Sequence, residues 1–434
     1  MAPVQPSTRK WLSSALALCW AACQPVWAGE ESAPAPTVAP AHETPAGFGG
    51  PASVGAQLRS DEAPKGSLFR PRAINAALAS YSAFKDRLRD QHGLSYGMDY
   101  NLLYQHADKS LGEQNAASGA LRLFGTWTLF DQASAHPGSI EFKVENRHRL
   151  GTELAPASLA GQIGYAGLTA VPFSDAGTIL TNLYWHQSFS DNRLAYIAGI
   201  VDVTDYVGVY GLVNPWTDFI NLAFSTDPTT PAPDQGFGAA VRWNPAEQYY
   251  VLAGLADANG NPRDPVDSVD GFFNDGEYFK HIEVGWFGSW ASRFDDNIHL
   301  TYWHADERAA AGVPDGWGVQ VSLSRNLDAR WLPFLRLGYA DGGGAPLERS
   351  VSTGFAYYPA GNDSVFGLGI NWGRPNRASF GTASDDQYTL EAYYRFQLFQ
   401  RLAITPDLQL VKNPPLNPAE DLIWIAGLRA RLAF

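Results

Sequence analysis

Cysteine is almost missing from this chain. The two it has, Cys19 and Cys23, fall within an N-terminal stretch expected to be removed. A chain cut after Ala28 would keep neither, which excludes disulfides, thiol catalysis and cysteine-ligated metal. Long apolar runs are scarce too. Beyond residue 28 nothing approaches the roughly 20 consecutive apolar residues of a helical membrane span. Positive charge is short: 31 Lys and Arg stand against 44 Asp and Glu, a net charge of -13. Such a balance argues against a general nucleic-acid binder, which needs basic patches. There is no metal-ligand spacing, no phosphate-cradling glycine loop and no Gly-x-Ser-x-Gly. His186, His281, His299 and His304 sit in no recognisable catalytic frame. No enzyme, metal or cofactor is therefore expected, although a Ser/His pair on an outer wall stays open as a chemical alternative.

What is present is an unusual mixture of 13% aromatic residues, 42 glycines and only 17% charged residues. It fits a transmembrane barrel, in which every second residue of a strand meets lipid. The amino end reads as an export signal. Arg9 and Lys10 precede an apolar stretch from Trp11 to Ala22, and Val26-Trp27-Ala28 supplies a cleavage site, giving a signal peptide over 1–28. An uncleaved anchor and lipoprotein processing at Cys23 are the alternatives, the latter weakened by Trp20 where leucine is usual. Residues 29–66 are rich in Ala and Pro and read as a periplasmic linker. Over 67–93, Ile74, Ala77, Leu78, Tyr81 and Leu88 recur at helical spacing between Lys85, Asp86, Arg87 and Arg89, an amphipathic helix that caps or docks.

From Leu94 the period changes to two, and 94–434 reads as one antiparallel β-barrel of about sixteen strands. The segments are 94–106, 119–130, 139–150, 178–189, 194–202, 235–243, 248–256, 280–290, 297–304, 316–324, 332–339, 350–358, 364–373, 387–397, 401–411 and 421–434. Most approach the length a tilted strand needs to cross a bilayer, about 9–11 residues. Connectors alternate short and long, and the long ones (151–177, 203–234, 257–279, 374–386) share one side. Outer-membrane barrels have short periplasmic turns and longer outside loops. Leu422, Trp424, Ala426, Leu428, Ala430, Leu432 and Phe434 line one face of the last strand. Its terminal Phe434 has the form of a signal for the barrel-insertion machinery. Trp243, Tyr249, Trp286, Trp290, Trp317, Tyr339, Trp372 and Tyr388 fall near strand ends, as an aromatic girdle would.

Strand parity puts Arg122, Glu141, Lys143, Glu145, Arg147, Arg149, Arg242, Glu283, Arg336, Glu391, Arg395, Arg429 and Arg431 on the lumen face, with Tyr184, Trp303 and Tyr393. Such groups either brace the wall by ion pairs or line a pore, where rings meet the C–H face of a sugar and charges bond its hydroxyls. The long loop 203–234 carries Tyr206, Tyr210, Trp216, Phe219 and Phe224 before Pro228, Pro231 and Pro233. By position it is the constriction candidate, a loop packed on the outer rim being the alternative.

Three stretches resemble the carbohydrate-selective porin family of the OprB type. One runs from Ala198-Gly199-Ile200-Val201-Asp202 through Asp205-Tyr206, Asn214 and Phe219-Ile220-Asn221 to Gly236-Phe237-Gly238. The second is Arg242-Trp243-Asn244-Pro245. The third runs from Glu391-Ala392-Tyr393-Tyr394-Arg395 through Ile404-Thr405-Pro406-Asp407-Leu408-Gln409 and Asn413-Pro414 to Gly427-Leu428-Arg429. The chain departs from the family at Phe84-Lys85-Asp86-Arg87-Leu88 and at Pro415, where a glycine is usual. The resemblance implies passive diffusion of monosaccharides and similar polar solutes through the outer membrane of a Gram-negative bacterium. Lipid and lipopolysaccharide would surround the barrel. A homotrimer is common for sixteen-stranded porins, though no residue here requires it. A general or anion-leaning porin is the alternative, and a barrel enzyme or adhesin stands behind both.

Overall fold

The structure, a computed structural model, describes residues 48–70, 72–130, 137–189, 193–381 and 385–434. The expected signal peptide and the first part of the expected linker lie outside the described residues. Sixteen strands follow one another: β1 (Leu94–Ala107), β2 (Asn115–Phe130), β3 (Gly138–Arg149), β4 (Gly177–Phe189), β5 (Leu194–Val201), β6 (Gly236–Ala246), β7 (Tyr249–Asp257) and β8 (Tyr278–Phe287). Then come β9 (Asn297–Ala305), β10 (Gly316–Ser324), β11 (Trp331–Gly342), β12 (Leu347–Tyr357), β13 (Val365–Pro375), β14 (Gln387–Phe399), β15 (Leu402–Lys412) and β16 (Leu422–Ala433). Each pairs antiparallel with its neighbours, and β1 closes on β16, so among the described residues no strand edge is left unpaired.

The period of two divides the wall into two environments. On β9, Ile298, Leu300 and Tyr302 are exposed on the outside, while Asn297, His299, Thr301 and Trp303 between them are buried inward. Leu121, Leu123, Val241, Ile282, Val284, Leu335, Leu337 and Ile370 continue the apolar outer band around the wall. The connectors largely keep the expected parity. At one end, the turn end, the chain reverses at 247–248 and 400–401; at the other, the loop end, stand 150–176, 202–235 and 258–277. One loop-end connector, 343–346, is short, because Gly342, Gly343 and Gly344 all take left-handed backbone that side chains disfavour (φ 74°, 68° and 82°). Trp290 lies in the turn-end connector 288–296 and stacks between Arg242 and Arg293, so it is not a girdle residue.

The interior of the barrel is filled. In the stretch expected to be linker, a helix α1 (Val54–Glu62) enters the turn end. Its buried stripe Val54, Gln57, Leu58 and Asp61 follows the i, i+3, i+4, i+7 pattern. Val54 and Leu58 pack on Phe124, and Asp61 reaches Arg431. The stripe is half polar, so its sequence shows no amphipathic run. Helix α2 (Arg72–His92) covers the expected 67–93 segment and leads into β1. The loop 150–176 also folds inward. Its helix α3 (Pro156–Ile163) packs Leu159, Ala160 and Ile163 on Ala107, Val411, Ile423 and Ile425 of the inner wall.

If the outer band meets lipid, Leu300→Arg places a charge near the middle of the apolar band and costs about 2–4 kcal/mol. Reversible urea unfolding in lipid vesicles measures it; unchanged stability would show that Leu300 does not face the bilayer.

Candidate functional site

The loop between β5 and β6 runs into the lumen and is buried there. Tyr210, Phe219 and Phe224 are fully enclosed and pack with Leu332, Phe334, Val365 and Tyr393 of the wall. Burying a ring of this size stabilises by about 1.5–3 kcal/mol. Burial also strips water from the loop backbone, whose N–H and C=O groups must then find partners. The charged wall residues supply them.

Glu391 accepts the Ile220 N–H at 2.8 Å and the Asn221 N–H at 3.0 Å. Arg336 donates to the carbonyls of Gly208 (3.0 Å), Phe224 and Thr226. Glu283 accepts the Gly208 N–H at 2.8 Å as well as the hydroxyls of Tyr250 and Thr301. Arg429 donates to the carbonyls of Pro215 and Asp218 at 2.7 and 2.8 Å. Lys143 pairs with Asp205 at 2.8 Å, and Ser352 donates to the Ala223 carbonyl. Gly208 is held at both its N–H and its C=O. Its φ of 65° and a neighbouring Gln320 amide, 2.7 Å from where a Cβ would stand, suit glycine there.

Other residues on the parity list are also engaged. Arg122 lies opposite Asp99 on the adjacent strand, bonds it through two nitrogens, and stacks 4.0 Å over Trp216. Arg431 bonds Asp99 and Asp61 together, tying the β1–β16 seam to α1. Glu141 accepts the Tyr184 hydroxyl at 2.9 Å and faces His186 at 3.2 Å; Glu145 pairs with Arg147 at 2.7 Å. Tyr393 meets Phe219 edge-on and donates to Asp218. Trp303 is enclosed, stacked on Phe279. Tyr206 is buried against Phe48. Arg149, expected in the lumen, stands at the loop-end rim and pairs with Asp175, both half exposed, because β3 ends there.

Loop 150–176 locks onto this arrangement. Gln105 and Gln409 donate to the Thr169 carbonyl, Gln387 to the Ala166 carbonyl, and the Tyr165 hydroxyl to Asn221. Sequence reasoning passed over this second inward loop. The largely apolar run Ala155-Pro156-Ala157-Ser158-Leu159-Ala160, in one of the long connectors, was the signal for it.

Below the β5–β6 loop, toward the turn end, a cavity of about 440 Å³ remains. The loop contributes Asn214, Trp216, Thr217 and Asp218. Helix α1 and the residues after it contribute Gln57, Arg59, Asp61 and Lys65; the turns and wall contribute Arg293, Asp295, Tyr358, Arg395, Arg401 and Arg431. Six cationic side chains thus face three carboxylates, in a chain whose net charge is negative. Burial lowers the Lys65 ammonium to about 8, against the pull of Asp61 and with Arg431 and Arg395 adding to the shift. Burial, with Arg59 and Arg242 beside it, brings the Arg293 guanidinium down to about 9. Burial and adjacent Asp296 raise the Asp295 carboxyl to about 6, against a hydrogen bond from Asn326.

Residues 140–310 and 313–434 match the family described as "Carbohydrate-selective porin, OprB family". Among relatives, the Porin AaxA of Chlamydia pneumoniae is 21% identical over 351 residues, 77% of this chain and 78% of its own. The Porin AaxA of Chlamydia felis is 21% identical over 71% of this chain and 69% of its own. Among solved structures, the high-pH structure of Pseudomonas putida OprB superposes with a TM-score of 0.64 at 16% identity, over 82% of this chain and 97% of that one. At that identity the likeness speaks for the fold.

Arg336→Met leaves the Gly208 and Thr226 carbonyls without their donor, a loss of about 3 kcal/mol. Single-channel recordings should show a larger, noisier conductance, with the β5–β6 loop newly open to protease; wild-type noise would mean that the loop is held without Arg336. A second expectation concerns pH. Raising it from about 7 to about 9 discharges Lys65, so anion preference should fall. Lowering it through about 6 neutralises Asp295, so the preference should rise. Reversal potentials in a salt gradient measure this, and a flat profile would place the cavity off the ion path.

Proposed function

Because the chain belongs to the carbohydrate-selective porin family OprB, a family of channels, we propose that it carries monosaccharides and similar small polar solutes passively across an outer membrane. The observation behind this reading is the inward β5–β6 loop. It fills part of the lumen and leaves a cavity edged by amides, hydroxyls, guanidinium groups and the rings of Trp216, Phe294 and Tyr358. Such a lining offers an apolar face to the C–H groups of a sugar and donors to its hydroxyls, while water keeps the binding weak enough for release. On this reading the turn end is periplasmic and the loop end extracellular. The amino-terminal 28 residues are a cleaved export signal, and Phe434 addresses the insertion machinery. Lipid and lipopolysaccharide meet the outer band, and a homotrimer fits without being required.

Wall residues fall into two groups. Glu391, Arg336, Glu283, Arg429 and Lys143 hold the constriction in place, so they shape selectivity through the loop. Tyr184, Trp303 and Tyr393 do not line the cavity, so direct solute contact passes instead to Tyr358 and the polar groups that do. The excess of cationic side chains in the lining favours one second reading, an anion-leaning pore.

Liposome swelling tests the proposal. Glucose should enter faster than an amino acid of similar size and much faster than a disaccharide. Rates ordered by size alone would reduce the protein to a general porin.

A further inference from the structure

The cationic cavity contains more than a neutral sugar needs. Arg431 is neutralised by Asp61 and Asp99, Lys65 lies 3.6 Å from Asp61, and Arg395 lies 3.6 Å from Asp218. Three guanidinium groups are left over, and one of them, Arg401, donates to the Asp61 backbone carbonyl at 2.6 Å. Arg59, on the cavity-facing side of α1, makes no ion pair and no side-chain hydrogen bond among the described residues. The carboxylate acting on it, Glu141, already serves Tyr184 and His186. Arg293 donates one N–H to the Trp290 carbonyl and stacks over Phe294 at 4.3 Å, while its buried Nε has no partner. Arg59 and Arg293 repel each other across the cavity, with no carboxylate paired to either. Keeping two such cations close is unfavourable unless an anion joins them. The rest of the lining would suit a polyol, with Tyr358 as a ring face and Gln57, Asn214, Gln397 and Gln400 as hydroxyl partners. Its volume is in the usual range for a small-ligand site, about 300–1,000 Å³. Arg59 lies outside the residues that match the family and Arg293 within them.

We propose that this cavity is a binding site for hydroxylated monocarboxylates, that is sugar acids, whose carboxylate is held between Arg59 and Arg293 while the hydroxylated chain lies against Tyr358 and the amides. A guanidinium meets a carboxylate with two parallel N–H bonds, which a neutral sugar cannot reciprocate. The proposal rests on the porin reading and narrows its solute class.

The test uses the full-length protein, refolded into liposomes and planar bilayers, with gluconate, glucose and inorganic phosphate as probes. Gluconate should permeate faster than glucose and interrupt the open-channel current at lower concentration. Arg59→Gln should reduce the gluconate-to-glucose flux ratio about fivefold, Arg293→Gln should act in the same direction, and Arg59→Lys should restore part of it. Heat-modifiable migration on gels confirms that each variant has formed a barrel. If glucose permeates and gluconate has no advantage, or if the ratio ignores both glutamines, the inference fails and the sugar-porin reading stands. If phosphate is favoured as strongly as gluconate, the site reads charge alone and the sugar-acid assignment fails. If a folded barrel passes neither glucose nor gluconate, both readings fall.

Discussion

A loop buried inside a barrel has a problem that a loop on a surface does not. Its peptide groups lose water, and the sheet around it cannot help, because the strands have spent their own N–H and C=O groups on each other. This chain meets the demand with charged side chains from the wall. Glu391 takes two loop amides, Arg336 reaches three loop carbonyls, Arg429 two more, and Glu283 completes Gly208. Each bond to an ionised group contributes more than a neutral one, and each would leave a buried group unsatisfied if lost. The shape of the cavity therefore depends on groups that do not themselves line it.

The same economy operates where the barrel closes. Asp99 on β1 faces Arg122 on β2 and Arg431 on β16, and Arg431 extends to Asp61 of α1. Two carboxylates and two guanidinium groups are buried there together, so the charges largely cancel and the remaining lone pairs are used. The closing seam of the barrel and the docking of the amino-terminal helix are thus one structure. Arg122 also lies flat on Trp216, so this network touches the tip of the inward loop.

The chemistry of the cavity is set by what the loops and α1 leave exposed. The wall contributes mostly ion pairs that are already satisfied. The amino-terminal helix and the turn-end connectors contribute cations that are not, and these face the cavity. Change in a short segment at the barrel mouth can then alter which solute is favoured while the sixteen-stranded frame stays as it is.

The sequence by itself determined the barrel. A period of two from Leu94 onward, the even succession of segments, the side on which long connectors fall and the apolar outer face of β16 all depend on local alternation, which lipid on one side and water on the other impose residue by residue. It also identified the lumen charges, because parity alone puts Glu283, Arg336 and Glu391 on the inner face, and it picked out the β5–β6 loop by length and aromatic content. Only the tertiary structure decided which of those charges are spent on the loop backbone and which remain free, since that depends on contacts between residues more than a hundred positions apart, such as Arg336 with Thr226 and Glu391 with Ile220. Helix α1 and the inward turn of 150–176 stayed hidden for a related reason. Each buries a face that mixes apolar and polar groups, and such a face makes sense only beside the particular wall residues, Phe124 and Arg431 or Gln105 and Gln387, that complete it.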